Sequence, residues 1–417
     1  MIRKLLPILG ITFIDIVGFS MLIPMLPYFV THFGASAYVV GFLFATFSLC
    51  QLASAPIWGY VSDRIGRKTV LIISQIGATI GWALLGVAPN VAAALGMAPI
   101  VVVFIARILE GISGGNISVT QAYVADLVEP RARSRAFGLI SAMFAAGMVF
   151  GPAGGGLLYA RFGFAAPFLV AAALQFVTLL LTIFMLPESH TRAKDEARLR
   201  LNAILASFGQ PRLAKLLWQR LAISLALYGW FGVFALYLAR QLGFTLSSTG
   251  YLFSVFAVFN VFMNAVVVGR VSARLGDRTM SNVGLASLVT GYGLVPFVHD
   301  LRLLAVSMLL FAFGLALTNT GITALISNAA SDREQGTVLG TSSSLDSLSG
   351  VLAPPVSTGI LSAYGPRYAG IESFTLAAIA FGMGLRSARD ERSAARVADE
   401  AALKLACEAE AAEIVRG

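Results

Sequence analysis

Apolar residues fall along this chain in twelve long blocks, at roughly 5–30, 38–60, 70–88, 98–123, 137–159, 166–186, 218–239, 249–270, 281–298, 302–327, 338–362 and 369–386. A helix needs about 20 apolar residues to cross a hydrocarbon core of about 30 Å. None of the blocks alternates with the period of two that marks a membrane β-barrel strand. The pattern therefore predicts an all-α membrane protein with twelve transmembrane helices, numbered here 1 to 12 in chain order. The twelfth block is short and has Glu372 near its start. At the N-terminus, "MIRKLLPILG" runs into the first block without a small-residue cleavage site, so it reads as the start of helix 1.

The polar segments divide the chain in two. The longest one between helices, "LPESHTRAKDEARLRLNAILASFGQPRLAKLLWQR", follows helix 6. The expected organisation is a six-helix bundle over 1–190, a linker over 191–216, a second six-helix bundle over 217–387 and a tail rich in Ala and Glu over 388–417. An internal repeat supports the division. "SDRIGRK" at 62–68 is echoed by "SARLGDR" at 272–278, after the equivalent helix, and the spacing of Gly138 and Pro152 recurs in Gly340 and Pro354. Paired halves of this kind are typical of transporters with a central site.

Composition narrows the function. The chain is 57% hydrophobic and only 12% charged, with a mean hydropathy of +0.81, whereas soluble domains carry about a quarter charged residues. The net charge of +9 does not imply nucleic acid. With the N-terminus inside, only Arg161, Arg240, Arg302 and Arg367 of the 30 Lys and Arg fall in outside loops, and Arg107 falls in a helix. That is the positive-inside asymmetry, and it predicts two cytoplasmic termini. Cys50 and Cys407 make no disulfide framework. The three histidines, His32, His190 and His299, sit at helix ends, without the spacing of a metal or hydrolase site. The expected partners are the lipid bilayer, protons and a small-molecule substrate, with no nucleic acid. The expected state is a monomer, not an enzyme, with no metal and no cofactor.

Four charges lie well inside the blocks: Asp15, Arg107, Glu110 and Asp346. Charge at that depth is costly and marks function. A buried carboxylate takes up a proton more readily than an exposed one, which suits Asp15 to proton exchange, with Arg107 as an opposing charge. Glu110 lies on the same helical face as Arg107 and either neutralises it or adds a protonatable group; Asp346 is a third candidate. In "GMVFGPAGGG", Gly147, Gly151 and Gly155 are spaced four apart, so one helical face admits another backbone. Pro152 favours a bend. That helix suits an interface between the halves. In the first copy of the repeat, Gly59 and Gly66 permit a tight turn, and Asp63 stands among Arg64, Arg67 and Lys68. Asp63 can bond Arg67 locally or meet a helix N-terminus of the other half. Asp126 is a further partner for Arg67, and the second copy has Ala273 in place of Asp63.

"GYVSDRIGRKTVL", "RILEG" and "GMVFGPAGGG" resemble, in that order, the loop between helices 2 and 3, the helix 4 motif and the antiporter helix 5 motif of the major facilitator superfamily. "DIVGFSMLIPMLPYFV" and "REQGTVLG" resemble the drug/proton antiporter branch that includes the tetracycline exporters. The resemblance covers about 5–386. It implies two pseudo-symmetric six-helix bundles, gating in which Asp63 meets helix 11 in the outward-facing state, and the proton gradient as energy source. The family usually has Gln where this chain has Glu110. The cavity implied is formed by helices 1, 4, 7 and 10, with Asp15, Arg107, Tyr228, Trp230, Phe313 and Asn319 as lining residues. The expected function is proton-coupled antiport exporting a small amphipathic compound across a bacterial inner membrane. The alternative is an importer or facilitator for a sugar or other small metabolite.

Overall fold

The computed structural model describes residues 2–114, 117–128, 133–189, 208–330, 335–390 and 393; they form helices and turns, with no strand among them. Helix 1 is Ile2–His32, helix 2 Ala37–Ile65, helix 3 Arg67–Gly86, helix 5 Arg133–Phe162 and helix 6 Ala165–Met185. Helix 4 is described as Pro99–Gly114 and Ile117–Leu127. In the second half, helix 7 is Pro211–Leu242, helix 10 Leu301–Ala329, helix 11 Gln335–Tyr364 and helix 12 371–390. Most of the linker, the tail and Arg333 of "REQGTVLG" lie outside the described residues.

Among the described residues, ten segments are long and apolar enough to cross a membrane. One of them, Leu246–Phe297, is two helices. The chain reverses at Gly276 (φ 71°), giving helix 8 over 246–275 and helix 9 over 277–294. The remaining span is helix 11, whose run of Ser and Thr keeps it out of the apolar set. The twelve helices thus stand, with three adjustments. Helix 7 starts earlier than its apolar block, because Pro211 occupies the first turn, where its missing N–H costs nothing, and Leu213, Leu216 and Leu217 are buried. A short helix, Ala88–Leu95, precedes helix 4. Gly59 lies inside helix 2, so the turn that follows belongs to Gly66 alone (φ 102°). Gly66 and Gly276 hold equivalent places in the two copies of the repeat, and both adopt the positive φ that glycine tolerates.

Lipid offers no partner to backbone polar groups, so a spanning segment must satisfy them internally, as these helices do. Large apolar side chains such as Phe150, Phe184, Val255 and Ile379 stay exposed, as a lipid-facing surface requires. Within the first half, helix 1 packs on helices 5 and 6, and helix 4 on helices 2 and 3. Within the second, helix 7 packs on helix 11 and helix 9 on helix 10. The halves meet through helix 2 against helix 11 and helix 5 against helix 8.

The turns at Gly66 and Gly276, the ends of helices 6 and 12 and the start of helix 7 share one end of the molecule, the basic end. Contacts between the halves begin at the opposite end. There the Tyr28 hydroxyl reaches the Phe244 carbonyl oxygen (2.9 Å) and Thr249 Oγ1 (2.8 Å). The Ser247 hydroxyl donates to the Gly156 carbonyl (2.9 Å), and the Ala153 N–H donates to Ser254 Oγ (2.9 Å). Gly41 lies against the Pro354 carbonyl oxygen and, nearer mid-depth, Gly350 against Ser48. Gly59 is five turns beyond Gly41 on the same face of helix 2, yet among the described residues no packed atom lies within 4 Å of where its methyl would stand. Among the described residues the contacts between the halves thus gather at the opposite end and mid-depth and thin out toward the basic end.

Candidate functional site

The embedded charges fall into separate groups. Arg107 and Glu110 form an ion pair one helical turn apart, with side chains 2% and 4% exposed. Arg107 lies between the rings of Phe47 and Trp82 (5.5 and 5.8 Å to the centroids). Gly81 of helix 3 leaves the space that the Glu110 side chain fills. This pair belongs to the packing of helices 2, 3 and 4. Two buried charges must neutralise each other at close quarters to be tolerated there, and Arg107 therefore does not oppose Asp15 across a cavity.

Asp15 instead faces helix 6, where Gln175 and Thr178 lie within hydrogen-bonding reach and bond each other at 3.2 Å. Asp15 Oδ1 is buried with no hydrogen-bond partner. No ion pair reaches this carboxylate among the described residues.

Asp346 has a partner that the apolar pattern hides. Arg220 stands at the edge of the seventh block, where the polar segment ends, and the early start of helix 7 places it well inside the helix. Its Nε and Nη2 grip the two Asp346 oxygens at 3.0 and 2.6 Å. The Ser224 hydroxyl donates to Asp346 Oδ1 (2.5 Å), and Arg220 Nη1 donates to Asn319 Oδ1 (2.5 Å). Helices 7, 10 and 11 are joined at this point. Arg220, Ser224 and Tyr228 follow each other at one-turn intervals on helix 7, as Asp346 and Gly350 do on helix 11. Tyr228 and Ser48 both lie against Gly350. The Arg220–Asp346 pair consequently sits just on the basic side of the last mid-depth contact between the halves, where they part.

The loop after helix 2 is tied within its own half. Arg67 bonds Asp63 (2.7 Å), Asp126 (3.5 Å) and Ser62 Oγ (2.5 Å). The guanidinium of Arg64 lies over the Tyr60 ring (4.2 Å), and Lys68 Nζ donates to the Ile183 carbonyl (2.8 Å). Glu188, just past helix 6, accepts from the backbone N–H groups of Arg67 (2.8 Å) and Lys68 (3.3 Å). It thus caps the N-terminus of helix 3, where negative charge is favoured. Among the described residues Asp63 pairs locally, with Arg67; the segment that enters helix 11, 331–334, lies outside them.

Gly147, Gly151 and Gly155 of helix 5 face helix 1 rather than the other half. A methyl at Gly147 would meet Ile16 and Val17, one at Gly151 would meet Ser20 and Val17, and one at Gly155 would meet Met21 and Met25. Ser20 seals the seam by donating to the Gly147 carbonyl (2.9 Å). Contact with helix 8 comes from the neighbouring face, through Pro152, Ala153 and Gly156.

This architecture has known relatives. The Major Facilitator Superfamily profile matches residues 8–238 and 221–409. The chain belongs to the Major Facilitator Superfamily. It is 31% identical over 376 residues to tetracycline resistance protein class C of Escherichia coli, covering 88% of this chain and 92% of that one. It is 27% identical over 367 residues to multidrug resistance protein 2 of Bacillus subtilis strain 168, covering 84% and 86%. Among solved structures, an inward-facing bacterial homologue of the human lysosomal transporter Spinster matches with TM-score 0.76 at 18% identity, covering 92% of this chain and 96% of that one. A major facilitator chain is a multi-pass membrane transporter, and the twelve helices described above are its transport fold.

In this facilitator fold, the six expected cavity residues do not converge. Trp230 is 2% exposed and packs with Phe234, Tyr237 and Tyr292, with ring centroids 5.1, 5.6 and 5.7 Å away. It is a core residue, because helix 7 turns that face to Tyr292 of helix 9 and to Gly370 before helix 12. Phe313 is half-buried against the cluster of Met263, Val268, Met280, Ala316 and Leu317. Arg107 is buried with Glu110, and Asp15 lies against helix 6. Of the six, Tyr228 lies with Ser48 of the first half against Gly350, and Asn319 is exposed beside Arg220. The signal for Arg220 was present in Pro211 and the buried leucines that follow it; Asp346 gives no local hint of its partner.

Proposed function

We propose that this chain is a proton-coupled antiporter that exports a small amphipathic, drug-like compound by alternating access. The observation that carries the reading is Asp15, an embedded carboxylate with a buried, unpartnered oxygen. Among the described residues no cation meets a charge there, so the group is stable in the membrane when protonated and costly when not. Tetracycline and multidrug resistance proteins among the relatives support a drug-like cargo. In this reading the basic end is cytoplasmic by the positive-inside rule, and the membrane is a bacterial inner membrane. The molecule works as a monomer, and the two bundles, joined by the linker, rock about the contacts of helices 2 and 11 and helices 5 and 8. Asp15 takes the proton, Asp63 and its basic neighbours form the latch toward helix 11, and Tyr228, Asn319, Arg220 and Asp346 border the cargo. Everted vesicles energised by a pH gradient test this directly. They should accumulate tetracycline or another compound of an amphipathic panel and lose the accumulation when the gradient is collapsed. Transport that ignores the gradient would overturn the coupling.

A further inference from the structure

Glu372 is the embedded carboxylate that the charge pattern and the reading above leave without a task. It lies in the first turn of helix 12, toward the opposite end, and is half-buried. The Ser357 hydroxyl of helix 11 donates to its Oε2. Gly229 of helix 7 leaves it room: a methyl there would stand 3.2 Å from Glu372 Oε2 and 2.6 Å from Ser357 Oγ. Tyr292 of helix 9 is within its electrostatic reach. Just before its helix, Gly370 abuts Trp230 and Val295, so this end of helix 12 turns into the protein. The charged groups nearest along the chain are elsewhere. Arg367 is exposed in the turn before helix 12, and Arg220, engaged with Asp346, is nine residues earlier on helix 7, about 14 Å of helix rise. Among the described residues no ion pair reaches Glu372.

We propose that Glu372 is a second proton-carrying site, in the C-terminal half, loaded from water at the opposite end and coupled to the contact between helices 7, 11 and 12. The proposal rests on the antiport reading. A proton from that water binds a Glu372 carboxylate oxygen and leaves by the same oxygen when the seam reopens; no other bond changes. Protonated, the group accepts from Ser357 and fits beside Gly229 without a charge to compensate. Deprotonated, it puts an uncompensated charge between three helices, which favours opening the seam to water. Helix 11 carries this seam on one face and its contact with Gly41 of helix 2 on another, so opening the first loosens the closed end.

The test uses the full chain in lipid vesicles, with Cys50 and Cys407 replaced by Ser. Infrared difference spectra between low and high pH read the carboxylic acid C=O stretch, and spin labels at Ala35 and Ser362 read the gap at the opposite end. The expected result is a titrating C=O band and a label distance that widens as pH rises. Both should be lost in Glu372→Gln and kept in Glu372→Asp, while Ser357→Ala should shift the band. A Glu372→Gln protein with the wild-type band and the wild-type pH response would overturn the proposal, and so would one that no longer folds while Glu372→Asp lacks the band. Neither readout involves cargo. If vesicles show no gradient-driven transport while the band titrates, the antiport reading fails and this site stands.

Discussion

Gly250 of helix 8 lies directly against the carbonyl oxygen of Pro152 on helix 5, with no room between them for a methyl group. The pseudo-symmetric pair is Gly41 of helix 2 and Pro354 of helix 11, where a methyl would come within 2.6 Å of the carbonyl oxygen. Each helix pair that joins the halves thus closes on one glycine and one proline carbonyl. Replacing Gly250 with Val should force that contact apart. Overpacking of this kind costs about 1–3 kcal/mol, which shifts the balance of conformations by roughly five- to 150-fold. Transport should fall accordingly, and spin-label distances across helices 5 and 8 should lengthen at the Ser247 end. Unchanged distances would show that the seam has slack.

Gly151→Leu acts elsewhere. Its side chain would overlap Ser20 and Val17 within the first half, so the expected loss is about 1–3 kcal/mol of stability. Thermal unfolding in detergent should show a lowered midpoint, with the label distances between the halves unaltered.

Arg220→Gln should leave Asp346 without its counter-charge. The pair is partly buried, so the loss should fall below the cost of about 3–5 kcal/mol in a fully buried pair. The double variant Arg220→Gln with Asp346→Asn should recover most of that stability. A double-mutant cycle measures this, and additive losses would mean that the 2.6 Å contact contributes little.

Asp63→Asn should insert normally and lose most transport. The substitution removes the charge that pairs with Arg67 here and that, in the proposed latch, meets helix 11. Wild-type rates at matched membrane levels in everted vesicles would remove Asp63 from gating.

Asp15→Asn should abolish uphill, pH-driven export while downhill exchange of the same compound survives. Moving one charge through 100 mV is worth about 2.3 kcal/mol, and that driving force is lost when the carboxylate is replaced by an amide. An Asp15→Asn protein that still pumps uphill would move the coupling to the other embedded acids.

Local features were legible in the chain, and tertiary ones were not. Gly66 and Gly276 betray their turns because a positive φ is a property of single residues. Arg107 and Glu110 are one turn apart on one helix, so their pairing follows from helical periodicity. The glycine stripe of helix 5 announces a close neighbour but does not name it; helix 1 and helix 8 both run alongside, and only packing assigns the stripe to helix 1. Arg220 and Asp346 are separated by 126 residues, and nothing in either segment specifies the other. Trp230 looks like a ligand-facing aromatic because its face of helix 7 can be assigned only once Tyr292 and Tyr237 are seen around it.

Helix 11 is too polar to count among the apolar spans, yet it crosses the molecule at full length. During synthesis it is therefore not a segment that enters lipid by its own hydrophobicity. Its Asp346 needs Arg220, which is made earlier, and its Ser357 needs Glu372, which is made later. Helix 11 accordingly enters the bilayer as one member of a group with helices 7 and 12. A truncation ending after Tyr364 should leave it stranded at the surface, where glycosylation-tag mapping of nascent chains would find it.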